Sequence, residues 1–148
     1  ENIRTTVYRQ TMFASFEREV HKRAAEGGDT TPDGLQALWY ELNRKYYGPD
    51  IVIDEPLKME WARIPHFYNP FYVYQYATGF SAATALAQLI LKKGAPARDR
   101  YLEFLSMGGS DYPIELLKNA GVDMSSPKPI KEVVRVFTKT LDEMEKLL

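Results

Sequence analysis

The chain has 148 residues, a formal net charge of -1 at pH 7, 45% hydrophobic and 26% charged residues, and no cysteine. That is the size of one domain, with enough apolar content to bury a real core. The near-zero charge gives no electrostatic reason to bind nucleic acid, and the missing cysteine removes disulfides, thiolate zinc sites and cysteine nucleophiles together.

The first residues, ENIRTTVYRQ, hold no basic stretch followed by an apolar run, so no signal peptide is expected. With no cysteine to suggest an oxidising compartment, the expected location is cytoplasmic. The chain begins at Glu1 and not at Met, so a processed or truncated piece is expected. The apolar-leaning run over 77–91 is interrupted by Thr78, Ser81, Thr84 and Gln88 and is too short to span a bilayer, so no membrane partner is expected.

Helix signals dominate the chain. Residues 2–26 carry Ile3, Val7, Phe13, Phe16 and Val20 at mixed three- and four-residue steps, with Gly27-Gly28 as a stop. Thr31 as N-cap and Pro32 at the first helical position open a second helix. It places Leu35, Leu38, Trp39 and Leu42 on one face and ends at Gly48-Pro49. Residues 51–54 are the one extended piece, too short to build a sheet, and a short helix follows over 55–62.

Pro65 and Pro70 bracket a tight segment holding His66. Asn69 is then expected to cap a long helix from Pro70 to about Lys93, closed by Lys92, Lys93 and Gly94. Further helices are expected from Pro96 to Met107, from Tyr112 to Asn119 and from Pro129 to Leu148. The last carries Ile130, Val133, Val134, Phe137, Leu141 and Met144 as an apolar stripe. The fold class expected is all-α, a multi-helix, bundle-like single unit over 1–148.

The stretch EWARIPHFYNPFYVYQYATGFSAA, residues 60–83, concentrates His66, Tyr68, Tyr72, Tyr74 and Tyr76 in a chain with only 2 histidines. On a helix starting at Pro70, Tyr72 and Tyr76 share one face and Tyr74 points away. Such polar-tipped aromatics either bury their rings in a core or line a site where developing negative charge needs hydrogen-bond donors. Composition alone favours the core, stiffening by Pro65 and Pro70 adds weight to a site, and Gly79 with Ser81, Ala82, Ala83 and Ala85 would let a helix or peptide backbone approach closely.

Other chemistry lacks support. His21 sits on a charged helix surface in EREVHKR, and no His-Glu-x-x-His or Gly-x-Ser-x-Gly element occurs. Gly108-Gly109-Ser110-Asp111 lacks the spacing and the lysine of a phosphate loop, and Asp142, Glu143 and Glu145 read as a solvated helix face.

At residues 60–83, and again at TTVYRQTMFASFE and YLEFLSMGGSDYPIELLKNAGVDM, the chain resembles the oligoendopeptidase F family of zinc metallopeptidases, relatives of thimet oligopeptidase. The resemblance runs from about Arg4 to Met124, and the final helix fits the family's C-terminal one. It implies a helical catalytic domain of which this chain is the C-terminal part. In that family a His-Glu-x-x-His helix and a further glutamate bind zinc upstream of the segment like TTVYRQTMFASFE. The metal activates a water, the motif glutamate acts as general base, and the water attacks a peptide carbonyl.

The resemblance makes His66 the histidine that binds substrate backbone. It makes Tyr72 and Tyr76 the oxyanion-stabilising tyrosines, since Tyr72-x-x-Gln75-Tyr76 keeps the Tyr-x-x-Gln-Tyr pattern with one residue inserted after the histidine. Tyr68 and Tyr74 are the further substrate-binding candidates, and Gly79 stands where thimet-type relatives have a third tyrosine. Zinc is implied for the parent, with no metal ligand expected here, so the chain alone is expected to be inactive. The implied partners are short peptide substrates and the rest of the parent protein. Apolar surface left open by truncation implies self-association of the piece. The alternative is a stand-alone helical module that grips a peptide or partner helix. Single-stranded nucleic acid stacked on the tyrosines is disfavoured by the charge.

Overall fold

A computed structural model describes all residues 1–148, and helices are its only regular secondary structure. Six α-helices follow in chain order: α1 (Arg9–Glu26), α2 (Pro32–Tyr47), α3 (Tyr74–Lys93), α4 (Ala95–Met107), α5 (Pro113–Asn119) and α6 (Lys128–Glu145). A π-helical turn over Arg4–Tyr8 leads into α1, and 3₁₀-helices cover Glu55–Arg63 and Pro65–Tyr68. The all-α class expected from the sequence is the one observed. Where the sequence suggested one unit, the chain divides into two compact units, Glu1–Ala77 and Thr78–Leu148.

In the first unit local signals set the helix ends. Gly27 takes a left-handed φ of 71°, and the Gly28 amide returns to the Arg23 carbonyl at 2.8 Å, closing α1. The Thr31 hydroxyl accepts from the Gly34 amide at 3.2 Å and donates to Asp29 Oδ1 at 2.6 Å, so the cap of α2 is itself braced. A Cβ at position 34 would stand 2.3 Å from Asp29 Oδ2, so a larger residue there would push the Asp29 side chain off its bond with Thr31. Residues 51–54 form no strand, with a bend at Ile51.

The core of this unit is aromatic. Met12, Phe13, Phe16, Trp39, Ile64 and Val73 are buried, with Phe67 packed against them. The Phe67 ring lies 5.8 Å from Phe13, 5.5 Å from Phe16 and 6.2 Å from Trp39. Each large apolar side chain buried this way contributes about 1.5–3 kcal/mol, and each ring pair adds about 0.5–1.5 kcal/mol. A buried ion group ties α1 to the first 3₁₀-helix. Glu60 Oε1 accepts from Arg9 at 2.6 Å and from Arg63 at 2.9 Å, and Arg9 also donates to the Tyr47 hydroxyl at 3.1 Å.

One element boundary departs from expectation. The long helix α3 begins at Tyr74, not at Pro70, and Asn69 does not cap it. Phe71 has φ 59°, the left-handed region, and no helix can run through a residue in that state. The segment 69–73 is a run of turns instead, with the Tyr72 amide on the Asn69 carbonyl at 3.2 Å.

In the second unit Ala82, Leu86, Ala120 and Val122 form the buried cluster, lined by Tyr101, Phe104, Leu117 and Met124. Gly94, at φ 66°, separates α3 from α4. In α6, Pro129 and Val133 are buried and Arg135 reaches Gln88 of α3 at 3.3 Å. Phe137 of the expected apolar stripe is half-buried, while Ile130, Val134, Leu141 and Met144 are exposed. The period marks an apolar face on α6 that is only partly buried. No helix is long and apolar enough to cross a membrane.

Candidate active site

The period of a short 3₁₀-helix sets the direction of His66. Ile64 and Phe67, three residues apart, both pack into the aromatic core, and His66 between them leaves in another direction and is only half-buried. Pro65 at the first position fixes the backbone entry.

Tyr72 and Tyr76 join this histidine. The Tyr76 hydroxyl lies 3.1 Å from His66 Nε2, and the imidazole tautomer decides which atom donates. The Tyr72 ring stacks on the imidazole at 5.7 Å and 19°, and Tyr76 meets Tyr72 edge-on at 5.5 Å. Tyr72 reaches this position from a turn and not from the helix face anticipated for it. Hydrogen bonding with Tyr72, reinforced by local desolvation, holds the Tyr76 hydroxyl above the ordinary tyrosine value of 10.0. Tyr76 therefore stays a neutral O–H donor through the neutral range.

The other two tyrosines lie apart from this trio. Tyr68 is exposed and borders a mainly apolar depression with Phe16, Val20, Leu35 and Trp61. Tyr74 faces α1, beside a second depression with Thr11, Ser15 and Arg18. Gly79 is not demanded by packing, since a Cβ there would meet nothing within 4 Å.

Two residues of α1 that the sequence reading passed over touch the segment carrying Tyr72. Glu17 is buried, and its Oε1 accepts from the Phe71 amide at 2.6 Å. The His21 ring packs on the Phe71 ring at 4.6 Å, so it is not only a solvated histidine. A left-handed non-glycine residue costs about 1–3 kcal/mol, and a hydrogen bond to a carboxylate contributes about 1.5–3 kcal/mol, so the second is large enough to hold the first. The signal was present in the sequence: Glu17 stands four residues after Phe13 and three before Val20, a carboxylate on an apolar helix face.

No group of three or more His, Cys, Asp or Glu side chains is arranged to hold a metal ion. The residues of this chain therefore do not fit the zinc that the resemblance implies for the parent. The Asp111 carboxylate accepts from its neighbouring Tyr112 amide at 2.7 Å, and Asp142, Glu143 and Glu145 are exposed.

Comparison with known proteins agrees with the fold. Oligopeptidase PepF of Bacillus subtilis is 57% identical over the whole chain, and the chromosomal oligoendopeptidase F of Lactococcus lactis subsp. cremoris is 43% identical. The chain spans only 22% and 25% of those two relatives. The crystal structure of oligoendopeptidase-F from Enterococcus faecium superimposes with a TM-score of 0.94 at 46% identity, covering 98% of this chain and 28% of that one. The profile of peptidase family M3 matches residues 1–136, and with these relatives it shows that the chain belongs to that family, in the oligoendopeptidase F group.

Proposed function

We propose that this chain forms the substrate-facing wall of an oligoendopeptidase, a zinc-dependent hydrolase of short peptides, and that His66, Tyr72 and Tyr76 act on the scissile peptide. The observation that carries the reading is the His66–Tyr76 pair, 3.1 Å apart, with the Tyr72 ring stacked on the same imidazole. In the reaction the carbonyl oxygen gains negative charge as the carbon becomes tetrahedral. Neutral phenol hydroxyls aimed at that oxygen stabilise it more than they stabilise the planar substrate, which lowers the barrier. His66 holds the substrate backbone so that the carbonyl meets those donors. The core-packed Phe67 and the proline before His66 keep the group in place, so little reorganisation is needed during the reaction.

Tyr68 and Tyr74 are assigned to the binding of more distant parts of the peptide, each beside its own surface depression. The zinc and its ligands are assigned to the part of the full-length protein outside this chain, and the chain alone is expected to be inactive. Replacing Tyr76 by Phe in the full-length enzyme should lower kcat by about 10²–10³ while leaving the melting temperature nearly unchanged. A rate equal to the parent's removes Tyr76 from the chemistry.

A further inference from the structure

We infer that Glu17 is a positioning residue for the proposed site, holding Tyr72 against His66 through the backbone of Phe71. The inference rests on the assignment of His66, Tyr72 and Tyr76 just made.

Phe71 is the one non-glycine residue of the chain with a positive φ, at 59°. It sits directly before Tyr72, so its left-handed backbone sets the direction in which Tyr72 leaves the chain. Strain of this kind persists only where surrounding groups enforce it. Two such groups are present, both on α1: the Glu17 carboxylate on the Phe71 amide at 2.6 Å and the His21 ring on the Phe71 ring at 4.6 Å. On the far side Val73 is fully buried in the aromatic core. Tyr72 is thus suspended between two fixed points, and only the first can be released without hollowing the core. Glu17 is itself 5% exposed and its bond spans 54 positions of sequence, so it is a built contact and not a local turn.

If the bond is lost, Phe71 relaxes toward an ordinary backbone state and Tyr72 leaves the imidazole. Misplacing a catalytic group by about 1 Å can cost about a hundredfold in rate. The experiment uses the full-length peptidase with four variants: Glu17→Met, Glu17→Gln, Tyr72→Phe and the double variant Glu17→Met with Tyr72→Phe. Methionine fills the same buried space without an acceptor, and glutamine keeps an acceptor oxygen in place.

Glu17→Met is expected to lower kcat by about tenfold to a hundredfold with KM little changed, and Glu17→Gln to recover most of that loss. The double variant is expected to be no slower than the slower single one, because both changes disable the same hydroxyl. A general weakening of the fold would instead lower the melting temperature and multiply with the Tyr72→Phe loss. Should Glu17→Met not fold, Glu17→Ala, which also removes the acceptor, is compared with Glu17→Ala/Tyr72→Phe and decides the same question. A slowed Tyr72→Phe beside a full-rate Glu17→Met, or losses that multiply, overturns the positioning role alone. A full-rate Tyr72→Phe overturns the assignment of the site and this inference with it.

Discussion

Nε2 of His66 and the hydroxyl of Tyr76 lie 3.1 Å apart, and they join elements of different kinds. His66 belongs to a four-residue 3₁₀-helix pinned by Phe67, while Tyr76 is in the first turn of α3. The pair is as rigid as the two supports are, and those supports are mostly apolar packing.

The Tyr76 hydroxyl should resist ionisation. Its folded value lies above 10.0, first because of the hydrogen bond with Tyr72. A raised value means that the proton is held more tightly in the folded chain. The stabilisation is therefore fully present below pH 10.0 and is lost as pH rises through the elevated folded value. Tyrosinate absorbance measured against a Tyr76→Phe control should show one phenol titrating later than the unfolded chain's tyrosines. A difference curve centred at or below the unfolded value contradicts the expectation.

Tyr68 is 83% exposed and stands apart from the imidazole. Removing its ring should weaken substrate binding without touching the chemical step. Tyr68→Ala in the full-length enzyme is expected to raise KM several-fold at nearly constant kcat, as loss of uniform binding does. A fall in kcat with KM unchanged would move Tyr68 into the reacting group.

The Glu60 ion group should matter unevenly. Arg9 is 29% exposed on its side chain and Arg63 76%, while Glu60 is only 6% exposed. The Arg63 contact is near the surface and should be worth less than about 1 kcal/mol. Arg9→Met leaves a buried carboxylate with one solvated partner and should destabilise by about 3 kcal/mol. Adding Glu60→Met to that variant should restore much of the loss, which urea unfolding of the three proteins can measure.

The open face of α6 should make the isolated chain associate. Val134, Leu141 and Met144 are 42%, 40% and 53% exposed on one helical stripe. Sedimentation of residues 1–148 is expected to show mass rising with concentration, and Val134→Lys with Leu141→Lys to suppress it. A monomer at every concentration before substitution would remove that face as an adhesive surface.

Much of the helical layout could be read from the chain because its signals are local. Thr31, Pro32 and Gly27 act within one helical turn, and each sits where its chemistry requires. The start of α3 could not be read that way. Asn69-Pro70 is a good opening for a helix, yet the Phe71 backbone answers to Glu17, 54 positions away. The same local error hid the role of His21, whose neighbours in sequence are mostly charged while its ring meets Phe71. The grouping of Tyr72 with Tyr76 was anticipated through a helix that does not extend that far. The two rings meet because a strained turn and Val73 burial achieve what helical spacing was expected to achieve. In α6 the period revealed an apolar face, but period carries no information about what lies opposite it.

The Phe67 ring, lodged among Phe13, Phe16 and Trp39, also acts as a depth gauge. Because His66 is its immediate neighbour on a tight helix, the imidazole can move only as far as Phe67 can sink or rise. A hollowed core at Phe13 or Phe16 would lower the gauge and draw His66 away from Tyr76 before the chain unfolds. Interior substitutions with no access to solvent would then be felt first as slow turnover, and only later as lost stability.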